Sequence, residues 1–291
     1  MMAYIMFFYA EKECEMRNKM IEYKFTDDTE YSQKILHTLR SYNRTFTGGV
    51  EPESLYIYVV RKDKLVGALK VGYFWDWVSV GDAFYEDTDI LKTLMQEAWK
   101  YYGKKAIGIK LFTPVKSRYD DFVRVGFEPI TVVKNMGNSD YYYADLHTFD
   151  YHEHNDHIIS DSEPIQTYQE ILEAETKAFK AQHNINGCQD TIQIVALNQG
   201  EFVGGVQGEV YDGSLYISRI AVLETYRHKA VGKTLMLKAI DEAKRRDLSV
   251  VELGTCDFQA KGFYDKLGFS VVHTRLDSPR GYNAYTMLKR L

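Results

Sequence analysis

The chain has 291 residues, of which 45% are hydrophobic and 26% charged, enough apolar material for one large domain or two ordinary ones. With 36 Lys and Arg against 41 Asp and Glu, the formal net charge is −5, so we expect no nucleic-acid partner. Cys14, Cys188 and Cys256 have no C-x-x-C spacing, which argues against a disulfide framework and against a zinc cluster.

The first ten residues are apolar but lack the basic start and the cleavage site of a signal peptide, and they are too short to cross a bilayer. We therefore expect no membrane partner and a cytoplasmic protein. The first readable strand is the alternating IEYKF at 21–25. Asp27 and Glu30 then have the spacing of a capping box before a helix through Leu39, and a loop follows over 41–53.

The remainder of the first half alternates strand and helix patterns. We predict a hairpin of strands at 55–60 and 65–74 and a further strand at 75–80. A helix is predicted from Asp89 to Tyr102, ending at Gly103. The segments AIGIKLF and SRYDDFVRVGFEPI close the unit.

The segment NMGNSDYYYADLHTFDYHEHNDH, 135–157, is interpreted as a linker. Its last six residues include five of the kinds that bind metals, namely His152, Glu153, His154, Asp156 and His157. Their spacings of two and three fit no single face of a helix or strand. A solvated interdomain segment is therefore the better interpretation, and we predict no metal.

The second half opens with a helix from near Pro164 to Lys180 and a loop over 181–190. TIQIVAL and EFVGGVQGEV form a predicted hairpin, and Asp212-Gly213 is a type I′ turn signal that leads into a strand, LYISRIAV, at 215–222. A polar loop, ETYRHKAVG, then enters a helix over 231–246, whose apolar residues recur at three- and four-residue steps.

The loop before this helix has the order R-x-x-A-x-G, formed by Arg227, Ala230 and Gly232. A loop entering a helix directs several backbone N–H groups and the positive end of the helix dipole at one point, which suits a phosphate. An ordinary solvated helix start is the alternative, because short glycine patterns are weak signals. The candidate phosphate-binding residues are Arg227, His228, Lys229, Ala230, Val231, Gly232 and Lys233.

The stretch 215–269 resembles the GNAT N-acetyltransferase superfamily, and the likeness extends over 165–291. That family's pyrophosphate loop reads R/Q-x-x-G-x-G/A between its fourth strand and third helix. Its next motif is a strand followed by a helix with a tyrosine and Gly-Phe, which here is SVVELGT and then FYDKLGF. Two departures are Ala230 at the first loop glycine and Asp257 where many members have asparagine.

The same order of segments repeats in the two halves. KTLM at 92–95 matches 233–236 at an offset of 141, RVGF at 124–127 matches KLGF at 266–269, and LVG at 65–67 matches FVG at 202–204 at an offset of 137. The first copy is thus four residues shorter where the pyrophosphate loop belongs, since the offset grows from 137 to 141. It carries Asp82, Glu86, Asp87 and Asp89 there, which would repel a phosphate, and Phe122 where the second copy has Tyr264.

The resemblance implies an α/β (α+β) chain of two tandem GNAT-like domains, each a mixed, mostly antiparallel central sheet flanked by helices. Residues 1–150 would form a degenerate domain without a pyrophosphate loop, and residues 151–291 the domain that binds acetyl-CoA. Besides the loop residues, the resemblance assigns cofactor contacts to Ile220, Ala221, Val222, Asp257 and Phe263.

Acetyl transfer to an amine requires that the amine lose a proton, that the oxyanion find a donor and that the thiolate be protonated. The resemblance places Tyr264 beside the thioester sulfur as the acid, with aromatic packing as the alternative. It also supplies a backbone N–H near Ala221 or Val222 for the oxyanion. No base is identifiable among Glu209, Glu224 and Glu252, and water can serve instead. Cys256 is interpreted as a buried cysteine rather than an acyl carrier.

We therefore predict an acetyl-CoA-dependent N-acetyltransferase that acts on a primary amine, of a small molecule, by direct attack in a ternary complex. A non-catalytic acyl-CoA-binding or scaffolding protein is the alternative from another class, and an acyltransferase for longer chains is a third. The sequence leaves a homodimer open and does not identify the acceptor.

Overall fold

The structure is a computed structural model that describes residues 21–149, 151, 153–185 and 187–291. Secondary structure alternates along this part of the chain in two passes of the same order. The first pass comprises β1 Ile21–Phe25, α1 Thr29–Thr47, β2 Glu53–Arg61, β3 Lys64–Phe74, β4 Trp77–Tyr85, α2 Thr88–Tyr102, β5 Gly108–Thr113, α3 Lys116–Arg124, β6 Glu128–Met136 and β7 Ser139–Leu146. The second comprises β8 His157–Asp161, α4 Gln166–Gln182, β9 Asp190–Asn198, β10 Glu201–Tyr211, β11 Ser214–Val222, α5 Val231–Arg245, β12 Val250–Cys256, α6 Lys261–Lys266, β13 Ser270–Arg275 and β14 Ala284–Arg290.

These strands form two seven-stranded sheets with equivalent strand orders. The first sheet runs β6-β7-β5-β4-β3-β2-β8 and the second runs β1-β9-β10-β11-β12-β14-β13. In each sheet a single pair is parallel, β4 with β5 and β11 with β12, and the other pairs are antiparallel. The predicted fold class, two mixed and mostly antiparallel sheets flanked by helices, is confirmed.

The two copies exchange their first strand and helix. Strand β1 pairs with β9 of the second sheet, and α1 packs on β10 and β11. Reciprocally, β8 pairs with β2 of the first sheet, and α4 packs on β3 and β4. Ile35 of α1 fits directly against Gly205 of β10, where an added Cβ would lie 2.6 Å from its Cδ1 atom. Each sheet therefore contains one strand from the other side of residue 150, the predicted domain boundary.

Three local predictions in the first half were wrong. The helix that was expected to end at Leu39 continues to Thr47, and it is capped by Asp28 rather than Asp27. Strand β4 extends to Tyr85, so Asp82 lies in a strand and not in a loop. The predicted linker contains β7 and the first residue of β8.

Strand β7 was missed because it is covered on both faces and so lacks alternation. Tyr142 packs on Tyr119 of α3, with the ring centroids 5.1 Å apart. The next residue, Tyr143, packs on His273 of the second sheet, at 4.6 Å. A strand between two layers carries apolar side chains at every position, and its pattern cannot be told from that of an irregular apolar segment.

The two sheets meet through β6 and β7 on one side and β12, β13 and β14 on the other. Val133, Tyr143, Val250 and Leu288 form the apolar part of this contact. Beside it, the guanidinium of Arg275 pairs with the carboxylate of Asp145 at 2.5 Å, and both side chains are buried. The larger cores lie on the opposite faces, under α2 in the first sheet and under α5 in the second. None of the helices in the described ranges is long and apolar enough to span a membrane.

Candidate functional site

The second sheet opens between β11 and β12. These strands pair from Ser214 with Val250 to Ile217 with Leu253, and β11 continues beyond that point without pairing to β12. The Leu223 N–H, at the end of β11, donates to the Val203 carbonyl on the β10 side at 2.9 Å. The opening therefore lies on the side of β11 that faces away from β10.

Backbone alternation determines which N–H groups face this opening. Neighbouring residues of a strand direct their N–H groups to opposite sides, so the Ala221 N–H points to β10 like that of Leu223. The N–H groups of Ile220 and Val222 point into the opening. Of the two oxyanion donors considered from the sequence, Val222 is thus the one with the suitable direction.

The loop after β11 leads to an uncapped helix terminus. His228 and Ala230 both adopt a left-handed backbone with φ of 61°, a conformation that favours glycine and that Ala230 nevertheless adopts. Helix α5 begins at Val231 as predicted, and no side chain caps its first turn. The N–H groups of that turn have no intrahelical acceptor, and together with the helix dipole they can bind an anion.

The cationic side chains around this terminus differ in how they are held. The Nε atom of Arg227 donates to the Val222 carbonyl at 3.3 Å, and its guanidinium carbon lies 4.8 Å from the ring centroid of Tyr42 in α1. The Lys229 ammonium lies 5.2 Å from the Tyr226 ring centroid. The side chains of His228 and Lys233 are exposed.

Gly232 brings the loop together with the next motif. A Cβ atom built on Gly232 would lie 3.6 Å from Cγ2 of Val222 and 3.8 Å from Cζ of Phe263. The loop, the end of β11 and helix α6 therefore converge on one point.

Asp257, a predicted cofactor contact, is engaged within the protein. Its carboxylate accepts from the Asn283 N–H at 2.7 Å and from the Tyr285 hydroxyl at 2.5 Å. These contacts join the end of β12 to β14.

Tyr264 lies on α6 beside this point. Its side chain is only 6% exposed and packs against Phe263 and Phe269, with centroid distances of 5.1 and 6.0 Å. Burial raises the pKa of Tyr264 well above its usual value, so the phenol keeps its proton at neutral pH. No residue in the described part of the chain forms a hydrogen bond with its hydroxyl. The group can therefore act as a proton donor to a ligand.

Glu252 stands apart from the other carboxylates considered as bases. It is 8% exposed and lies on β12 opposite Tyr216, one residue before the strands diverge. The Ser214 hydroxyl donates to it at 3.1 Å, and burial raises the pKa of Glu252 to about 7. Glu209 instead accepts from the Tyr211 hydroxyl at 2.5 Å, and Glu224 is exposed in the loop. The sequence could not rank the three because burial depends on tertiary packing.

The raised pKa of Glu252 predicts a specific pH dependence of stability. A carboxyl group whose pKa is higher in the folded state stabilises the fold below its unfolded pKa, and that contribution is lost as pH rises through about 7. We expect the stability of Glu252→Gln relative to the wild type to increase by about 1–3 kcal/mol between about pH 5 and about pH 8. Urea unfolding at both pH values measures this, with the exposed Glu224→Gln as control. Parallel pH profiles for Glu252→Gln and the wild type would contradict it.

Cys256 has no feature of a nucleophile. Its thiol is buried and donates to the Ser278 carbonyl at 3.6 Å. Burial, with the nearby Asp257 carboxylate, raises the pKa of Cys256 to about 12, so the thiolate is not formed at neutral pH. This geometry favours a structural cysteine.

The equivalent place in the first sheet is filled by protein side chains. At the offsets of the repeat, Ala83 matches Ile220 and Arg118 matches Ala260. The Nη2 atom of Arg118 donates to the Ala83 carbonyl at 2.6 Å, so a guanidinium occupies the region where the second copy has a small residue.

The helix terminus of the first copy is also closed. The Asp87 carboxylate caps α2 by accepting from the Ile90 N–H at 2.9 Å, where α5 has no side-chain cap. Close by, the Tyr85 hydroxyl donates to the Asp121 carboxylate at 3.0 Å. An anion would meet a carboxylate at this terminus.

The histidine-rich segment forms no metal site in the described ranges. No group of three or more His, Cys, Asp or Glu side chains there is arranged to hold a metal ion, and His152 lies outside those ranges. Asp156 is instead bound by the guanidinium of Arg61 through two hydrogen bonds of 2.8 and 2.9 Å.

The chain is similar in sequence to known acetyltransferases. The model of the acetyltransferase (GNAT) family matches residues 151–269, which contain the loop and Tyr264. Blasticidin-S acetyltransferase from Streptomyces morookaense is 30% identical over 95 residues, 32% of this chain and 69% of that protein.

Solved structures of acetyltransferases are also similar. One from Bacillus cereus is 26% identical, with 44% of this chain and 95% of that chain covered and a TM-score of 0.40. A putative acetyltransferase from Agrobacterium tumefaciens is 21% identical, with 46% and 97% covered and a TM-score of 0.39.

Proposed function

The chain belongs to the GNAT family of acetyltransferases, and from this premise we propose that its second sheet binds acetyl-CoA and transfers the acetyl group to a primary amine of a small molecule. One observation carries the proposal. The uncapped terminus of α5, the end of β11 with the Val222 N–H group, and the Tyr264 helix converge around Gly232. In the proposed reaction the α5 terminus binds the phosphate, the Val222 N–H donates to the oxyanion, and Tyr264 is the acid.

The residues present fit the cofactor. Backbone N–H groups of 231–233 and the guanidinium of Arg227 would hold the pyrophosphate, with Lys229 nearby. The side of β11 that faces the opening supplies N–H and C=O groups for the pantetheine arm. Bound acetyl-CoA supplies the acetyl group as an activated thioester.

Each catalytic requirement has a candidate group in the chain. The Glu252 carboxylate, with its pKa near 7, accepts the proton of the acceptor ammonium through water. The Val222 N–H stabilises the oxyanion, and Tyr264 donates its proton to the departing thiolate. The high pKa of Cys256 supports direct attack by the amine in a ternary complex rather than an acyl-cysteine intermediate. In double-reciprocal plots of initial rates, intersecting lines for the two substrates would support a ternary complex, and parallel lines would contradict it.

A small acceptor is supported by the surroundings of Glu252. The face of the second sheet that carries Glu252 is bounded by α1 on one side and by β7 of the first sheet on the other. Thiol release from acetyl-CoA across a panel of small amines and lysine peptides tests this. Turnover confined to the peptides would contradict it.

We also propose that the first copy binds no acetyl-CoA, because Asp87 and Arg118 fill its cofactor position. Calorimetric titration with CoA should then give one site per chain. Asp87→Ala should leave the affinity and stoichiometry unchanged, whereas Gly232→Val should weaken the binding by about a hundredfold or more. Two sites per chain would show that the first copy also binds CoA, and loss of the site in Asp87→Ala would place the site in the first copy; either result would contradict the proposal.

A further inference from the structure

The end of helix α1, contributed by the first pass of the chain, contacts the cofactor loop of the second sheet. The ring of Tyr42 lies under the guanidinium of Arg227, 4.8 Å from ring centroid to guanidinium carbon. The hydroxyl of the same tyrosine donates to the Phe258 carbonyl at 2.8 Å. Phe258 lies in the turn between β12 and the helix that carries Tyr264. One side chain thus touches both the phosphate loop and the turn before the catalytic helix.

A second polar contact fixes the same turn to α1. The Gln259 amide nitrogen donates to the Asn43 side-chain oxygen at 2.9 Å, while the Gln259 oxygen accepts from the Cys256 N–H at 3.0 Å. Gln259 therefore connects α1 to the last residue of β12. The position of α1 and the position of the turn are coupled through these bonds.

Aromatic packing completes the contact. Phe46 of α1 stacks on Phe258 with a centroid distance of 5.0 Å, and Tyr282 packs on Phe258 at 4.9 Å. Trp75, from the turn between β3 and β4, packs on Phe258 at 5.7 Å. The turn before α6 is therefore held by residues from both passes of the chain.

We propose that Tyr42 is a positioning residue for the acetyl-CoA site, an inference that rests on the proposed function. The ring holds the Arg227 guanidinium by a cation–π contact while its Nε atom donates to the Val222 carbonyl, and the Tyr42 hydroxyl holds the turn that leads to Tyr264. An arginine held in this way loses less rotamer freedom when it binds a phosphate. The exchanged helix is thus part of the active site and does more than cover the sheet.

Calorimetric titration of the full chain with CoA tests this proposal. Tyr42→Leu removes the ring and the hydroxyl and should weaken CoA binding about 3- to 30-fold, the range expected for a cation–π contact. Tyr42→Phe keeps the ring and should stay within about threefold of the wild type. In an Arg227→Ala background, Tyr42→Leu should add little, because the group it holds is gone.

Tyr31→Leu is the matched control. Tyr31 lies on the same helix and packs on Phe202, at a centroid distance of 6.2 Å, away from the loop. This variant should lower the melting temperature while CoA affinity stays near that of the wild type. Equal loss of affinity in Tyr31→Leu, additive effects of Tyr42→Leu and Arg227→Ala, or full affinity in Tyr42→Leu would each overturn the inference. If the wild type itself bound no CoA, the proposed function would fail instead.

Discussion

Tyr264→Phe should lower kcat by about 10²–10⁴, the range for loss of a positioned general acid. The change removes one hydroxyl that has no hydrogen bond to the described residues and leaves the ring between Phe263 and Phe269. Melting temperature and CoA affinity should therefore change little. The loss should appear in kcat as well as in kcat/KM, because the proton is transferred in the transition state.

The first copy indicates that a phenylalanine packs well at this place. Phe122 occupies the position equivalent to Tyr264 and is fully buried in the core of the first sheet. Tyr168→Phe, on α4 and remote from the loop, controls for the loss of a tyrosine hydroxyl. Normal turnover of Tyr264→Phe with a lowered melting temperature would mean that the tyrosine only packs, and the thiolate would then take its proton from water.

Gly232→Val should weaken CoA binding by about a hundredfold or more, which corresponds to about 2.7 kcal/mol. The Cβ atom itself fits, since its nearest neighbours on Val222 and Phe263 would be 3.6 and 3.8 Å away. The fold should therefore persist, while the branched side chain takes space that the pyrophosphate needs beside the first turn of α5. Titration calorimetry and thermal melting of the same preparation separate the two effects.

Gly232→Ala is the graded control for this variant. It adds the Cβ atom alone and should weaken CoA binding less than the valine does, with equal or higher helix stability. If Gly232→Val and the wild type bound CoA equally well, the phosphate would have to bind elsewhere, and the assignment of the loop would be wrong.

Local signals in the sequence predicted the elements around this loop. Helix α5 begins at Val231, where the apolar period starts, and Asp212 and Gly213 both have positive φ, as the type I′ signal requires. Lys62 and Asp63, which lie between the predicted strands at 55–60 and 65–74, also have positive φ. Such features depend on neighbouring residues, so a single sequence reveals them.

The features that were missed depend on distant parts of the chain. The alternation in IEYKF identifies a strand but not its partner, and Phe25 pairs with Ile194 of the second half. A single sequence does not show that α1 packs on the second sheet. Nothing in it therefore identified Tyr42 as a neighbour of Arg227. Glu252 was one of three equivalent candidates until its burial distinguished it.

The most direct test of the account is mass-spectrometric detection of an acetylated amine when purified protein is incubated with acetyl-CoA and a panel of small primary amines. An acetyltransferase with Tyr264 as its acid should form such a product with at least one amine, in step with release of the CoA thiol, and Tyr264→Phe should form it far more slowly. Tight binding of CoA by the wild type, with no acetylated product from any amine, would contradict the account and identify a non-catalytic acyl-CoA-binding protein.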